Sequence, residues 1–182
     1  MRWLVTLLAG FLVAASAQAA EFKVTSPTFI DGATLPAVHV LEGFGCHGGN
    51  RSPALAWSGT PPGTKSFAIT LYDPDAPTGS GWWHWTVFNI PASVASLPEG
   101  AGSPTGPGLP NGAIQGRTDF GAPGFGGACP PEGDPPHHYV LTVWALKVDK
   151  LPLDGSAEGA MVGFYLDANA IAKTSITALY GR

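Results

Sequence analysis

The chain has 182 residues, 45% of them apolar and only 12% charged, with a formal net charge of −4. That length holds one ordinary domain with a real core, and the charge fraction lies far below the roughly 25% of an average soluble domain. Its few basic residues are scattered singly, so no stripe is present to track a phosphate backbone or an anionic membrane, which argues against nucleic-acid binding and polybasic lipid contact. Gly (25) and Pro (18) are abundant without a G-X-Y period. With plentiful Val, Ile, Thr and aromatic residues, this is the composition of short strands joined by many turns.

Residues 1–19 read as a signal peptide. Arg2 gives a basic start, "WLVTLLAGFLVAA" is the apolar run, and Ala17-Gln18-Ala19 fits the small-x-small cleavage rule. The run is short for a membrane span, which needs about 20 residues. The mature chain is therefore expected to start near Ala20, to be periplasmic or secreted, and to form a single domain over residues 20–182. Losing Arg2 makes it more acidic still. Cys46 and Cys129 are the only cysteines, and an even count in an oxidising compartment favours a disulfide over two separate thiols.

Strands are expected at 22–24, 37–40, 55–57, 66–72, 83–90 and 139–148, where β-branched and aromatic residues gather. In "SFAITLY" Phe67, Ile69 and Leu71 share one face. Regular alternation through "WWHW" would put Trp83 and Trp85 on one face and Trp82 and His84 on the other. Residues 98–133 form a Gly/Pro-rich stretch long enough to suggest a functional loop. One helix is expected over 157–173, capped by Asp154 or Ser156, with Ala160, Phe164 and Ile171 turned to the core. "SITALYGR" follows as a last strand. The fold class is mainly β, a β-sandwich or Greek-key arrangement around a doubly covered antiparallel sheet with a C-terminal helix.

Three polar pieces stand out in so uncharged a chain. In "DPDAP", Asp73 and Asp75 close the strand 66–72. They are two residues apart and able to point the same way, unless Asp73 only forms an Asx-turn. Ala76-Pro77 is a candidate cis bond. His84 lies just inside the next strand, among tryptophans. In "CPPEGDPPHHY", His137 and Tyr139 have strand spacing and share a face, while His138 points away. Convergence of these pieces would build one small cleft. Three chemistries fit such a cleft. Asp73, His84 and His137 make a two-His, one-carboxylate metal set without any tight ligand motif. An Asp–His base for hydrolysis lacks a G-x-S-x-G nucleophile. Two imidazoles, a phenol and glycine-loop amides make an anion pocket whose acids keep the histidines protonated.

The chain resembles the phosphatidylethanolamine-binding proteins, in their bacterial Raf-kinase-inhibitor-like branch. The resemblance rests on "GCHGGNRSPALAWSGTPPGTKSFAITLYDPDAP", "GWWHWTVFNIP" and "LPNGAIQGRTDFGAPGFGGACPPEGDPPHHYVLTVWAL" and spans nearly the whole mature chain. It implies a β-sandwich on a large central antiparallel sheet, and a small pocket for phosphate-bearing headgroups. By position, Asp73, Asp75, His84, Pro130, Pro131, His137 and Tyr139 fall on the pocket's motifs. A Cys46–Cys129 bridge would staple two loops beside it. The resemblance implies a non-enzymatic binder of a small anionic ligand, with no metal and no cofactor. The alternative it carries is an interaction module that inhibits a kinase or protease through the pocket rim. The sequence departs from the family pattern at Ala128, where Pro is usual, at His138, where Arg is usual, and in "GFYLDANA" of the late helix. Nothing in the chain specifies an oligomeric state, and a twofold homodimer is compatible with it.

Overall fold

The computed structural model describes residues 20–104 and 108–182; the expected signal peptide lies outside them. Ten strands and one helix run in the order β1 Lys23–Thr25, β2 Glu42–Gly43, β3 Cys46–His47, β4 Leu55–Ser58, β5 Ser66–Asp73, β6 Trp82–Pro91, β7 Ser96–Leu97, β8 Ile114–Gln115, β9 His137–Leu146, α1 Gly159–Asn169 and β10 Ala170–Tyr180. The main sheet has the order β10-β9-β5-β6-β8, with antiparallel neighbours throughout. A second sheet, β1-β4-β7, covers one face of it, and β2-β3 is a separate hairpin.

Side-chain alternation builds the two layers. On β5, Phe67, Ile69 and Leu71 enter the core between the sheets with Val24, Leu55, Trp57, Leu141 and Val143, while Ala68 joins Trp144, Leu146, Val162 and Leu166 under the helix. A strand covered on both faces reads as an unbroken apolar run. The mainly β sandwich with a central antiparallel sheet and a C-terminal helix is thus the observed architecture.

Several local expectations are corrected. Residues 37–40 are not a strand, because Ala37–His39 is a 3-10 turn begun by Pro36. The helix is shorter than 157–173, since from Ala170 onward the chain pairs with β9 along its length. Sheet pairing there outweighs local helix preference. Gly159, Val162 and Leu166 are the helix's buried residues, whereas Ala160 and Phe164 face solvent and Ile171 belongs to β10. Neither Asp154 nor Ser156 caps the helix. Glu158 holds that position without a side-chain bond, and Asp154 instead accepts the Ser156 N–H at 2.9 Å. No cis peptide bond occurs among the described residues, Ala76-Pro77 included.

The alternation expected around His84 is also broken. Leu71 pairs with Trp85 but Tyr72 pairs with Trp83, so β6 carries a bulge at His84. Trp85 therefore enters the sandwich core against Phe125, whereas Trp83 turns to the opposite face, on Tyr72 and the helix. Gly159 admits that indole: a Cβ there would lie 2.2 Å from Trp83 Cγ. Bulges re-aim side chains near strand ends, and this one aims His84.

Candidate functional site

The ends of β5, β6 and β9 meet at one edge of the main sheet. Pro74 cannot extend the ladder, so β5 stops at Asp73. The Asp73 side chain then does two jobs. Oδ1 accepts the N–H groups of Asp75 and Ala76, at 2.8 and 3.1 Å, which is the Asx-turn; Oδ2 accepts His137 Nδ1–H at 2.8 Å. Asp73 and His137 are 2% and 4% exposed, so this is a buried ion pair when His137 is charged. The second ring nitrogen, Nε2, lies 3.4 Å from Asp134 Oδ2. Burial alone would lower the His137 pKa. Asp73, Asp134 and Asp75 together outweigh it and hold the pKa above the ordinary 6.5.

Asp75 points elsewhere. Its carboxylate accepts both the main-chain N–H and the Nδ1–H of His138, each at 2.7 Å, outside the cleft. Those bonds hold its pKa below the usual carboxylate value. The two acids of "DPDAP" thus diverge, because the Asx-turn rotates the chain between them.

His84 faces a strap formed by residues 125–131. Its Nδ1 lies 2.9 Å from the Gly126 carbonyl and 3.1 Å from that of Gly127, so Nδ1 is the donor. Burial pushes its pKa below 6.5 despite those carbonyls and the nearby Asp73 and Asp119. The strap is itself fixed. Gly126 N–H donates to the His84 carbonyl, and Gly127 N–H to Asn50 Oδ1. Ala128 N–H donates to His39 O, a bond that a proline there would lack.

Between these elements lies a cavity of about 230 Å³. Asp73, His84 and His137 form its polar end. Phe44, Trp82 and Phe120 wall it, and Cys129, Pro130 and Pro131 form its rim. Phe120 packs edge-on to both Trp82 and His84, with ring centroids 5.3 Å away in each case. Tyr139 lies behind His84 at a centroid distance of 5.2 Å and does not line the cavity. Its buried hydroxyl is approached by the Cys129 main chain without completing a bond of good geometry, and burial raises its pKa far above that of free tyrosine. Five of the seven candidate residues therefore meet around one space, Tyr139 sits behind it, and Asp75 sits outside.

The Cys46–Cys129 disulfide is present and ties the β2-β3 hairpin, which carries Phe44, to the rim. Arg182 reinforces the same seam, donating to Pro130 O at 2.7 Å and Gly45 O at 3.0 Å. Phe44, Phe120, Asp134 and Arg182 were not among the sequence candidates. Phe120 and Asp134 do fall on the long loop and the "CPPEGDPP" motif already marked, whereas Phe44 and Arg182 reach the site only through the tertiary fold. The metal set is not assembled: among the described residues no three His, Cys, Asp or Glu side chains gather closely enough to hold an ion.

Comparison with known proteins agrees with this architecture. The family model described as Phosphatidylethanolamine-binding protein matches residues 25–181. The UPF0098 protein YbcL of Escherichia coli is 63% identical over 165 residues, covering 91% of this chain and 90% of that protein. The UPF0098 protein YbhB of the same organism is 51% identical over 158 residues, covering 87% and 99%. The crystal structure of E. coli YbcL, described as a new member of the mammalian PEBP family, superposes with a TM-score of 0.88 at 62% identity, over 90% of this chain and 99% of that one. The phosphatidylethanolamine-binding protein homologue CT736 of Chlamydia trachomatis gives a TM-score of 0.72 at 28% identity, covering 88% and 97%. This chain belongs to the phosphatidylethanolamine-binding protein family.

Proposed function

We propose that this protein is an exported binder of a small phosphate-bearing or similarly anionic group, held at the polar end of the cavity, and that it works without a chemical step. One observation carries the reading: the imidazole of His137, its pKa raised by Asp73 and Asp134, joins Asp73 and His84 at the polar end of a cavity walled by Phe44, Trp82 and Phe120. An apolar surround strengthens any charge interaction made inside it. The volume of about 230 Å³ lies below the roughly 300–1,000 Å³ of drug-sized sites, which suits a headgroup rather than a whole lipid. The family's description adds phosphatidylethanolamine, whose headgroup is a phosphodiester. Export is supported by the sequence of residues 1–19 and by the disulfide. No helix among the described residues is long and apolar enough to cross a membrane.

The test is an NMR titration with O-phosphorylethanolamine. Shifts should centre on His84, His137, the Trp82 indole and Cys129. No shift at millimolar ligand, or shifts confined to another surface, contradicts the reading. N-terminal sequencing of protein from the periplasmic fraction checks export, with Ala20 as the expected first residue.

A second reading has its own support. Phe44 is 77% exposed on the rim and sits in left-handed backbone at φ 53°, an uncommon place for a bulky residue. That suits a rim presented to a protein partner, such as a kinase or protease. A partner captured by wild type and lost with Phe44→Ala supports it; equal capture by both contradicts it.

A further inference from the structure

On the phosphate reading of the cavity, the hydrogen-bonding state of His84 sets the form in which the ligand is held. Two carbonyl oxygens converge on Nδ1, so that nitrogen carries the ring's hydrogen. A neutral imidazole then presents a bare lone pair at Nε2. The ring lines the cavity, and among the described residues its side-chain hydrogen bonds are both made by Nδ1, which leaves Nε2 to the cavity. The strap cannot easily turn its carbonyls away. Gly127 is wedged so tightly against residues 39–41 that a Cβ on it would lie 2.4 Å from Leu41 N and 2.5 Å from His39 O.

The groups facing this ring are Asp73 from β5, Asp119 from the loop after β8, and Tyr139 and His137 from β9. The carboxylates favour an imidazolium at His84, but burial outweighs them and lowers its pKa below the ordinary 6.5, which favours the neutral ring at neutral pH. A fully ionised phosphate oxygen placed at Nε2 would set lone pair against lone pair.

We infer that the cavity binds its anionic group together with one proton, located between His84 Nε2 and the ligand oxygen. A phosphate monoester brings that proton as its monoanion, as P–OH donating to Nε2. A phosphodiester has none to bring, so a proton from solvent must attach to Nε2, which then donates to the ester's oxygen. His84 is thus the residue through which that proton is shared, whichever side supplies it.

Calorimetry on the intact, disulfide-bonded protein counts the proton. O-phosphorylethanolamine and glycerophosphoethanolamine are titrated near pH 7.5 in two buffers of different ionisation heat. Uptake of about one proton per molecule bound is expected with both, with affinity falling about tenfold per pH unit above neutrality. Binding with no uptake and a flat pH profile overturns the inference while leaving the phosphate reading intact. For the diester, the ring ¹⁵N spectrum locates the proton. His84 Nε2 should gain a hydrogen while Nδ1 keeps its own; a proton arriving on His137 instead also overturns the inference. No binding of either probe at millimolar concentration takes down the phosphate reading and this inference with it.

Discussion

Replacing Asp73 with Asn tests the buried pair at the base of the cavity. Asn keeps an oxygen for the Asp75 and Ala76 amides but removes the charge facing His137 Nδ1. Below about pH 6.5 the imidazole is charged, and the Asn amide nitrogen then confronts an N–H. Breaking a buried pair in this way costs about 3–5 kcal/mol, and the low end applies because Asp134 remains beside Nε2. Above the raised folded pKa of His137 the ring loses its proton. It can then accept from Asn at Nδ1 while donating from Nε2 to Asp134, and the cost falls to about 1 kcal/mol. The sign follows from linkage. A histidine whose pKa is raised on folding contributes its full stability below its unfolded pKa and loses it as pH rises through the folded one. Urea unfolding of both proteins at about pH 5.5 and 8.5, with m values compared, reads the difference. A penalty equal at both pH values, or larger at the alkaline one, refutes the charged His137–Asp73 pair.

Three further outcomes follow from the same geometry. Asp75→Ala should leave phosphorylethanolamine affinity within about twofold of wild type and cost about 1 kcal/mol or less, because its partner His138 lies outside the cleft in solvent; calorimetry and urea unfolding check both parts. Removing the disulfide as Cys46→Ser/Cys129→Ser should cost about 4 kcal/mol, since the cross-link spans 83 residues. The same change should weaken ligand binding by freeing the rim from the Phe44 hairpin, and unchanged affinity would show that the staple does not hold the cavity. Tyr139→Phe should be neutral or stabilising by up to about 1 kcal/mol, because the hydroxyl is buried without a well-formed bond; a large loss of stability in thermal unfolding would reveal a hydroxyl partner.

The main layers were legible in the chain because burial follows a simple period. Phe67, Ile69 and Leu71 alternate as read, and the 139–148 run is the interior strand His137–Leu146, shifted by two residues. The site was legible to the extent that it lies at strand ends. Asp73, His84 and His137 meet because β5, β6 and β9 are neighbours. What escaped depended on departures from period. The bulge at His84 sends Trp83 and Trp85 to opposite faces, and the Asx-turn after Asp73 parts it from Asp75. The helix is shorter than the sequence suggests because the Ala-rich residues near 170 suit a helix locally, yet they find an edge of β9 to pair with. The protonation states were also out of reach. Spacing put both histidines in one cleft, but only burial lowers the His84 pKa, against the pull of the Gly126 and Gly127 carbonyls, while Asp73 raises that of His137.

The most direct test of a phosphate-binding cavity is a crystal structure of protein purified without phosphate and then saturated with O-phosphorylethanolamine. The account predicts a phosphate oxygen within hydrogen-bonding distance of His84 Nε2, beneath the rim of Cys129, Pro130 and Pro131. An empty cavity at saturation, or ligand seated only on another face, would contradict it.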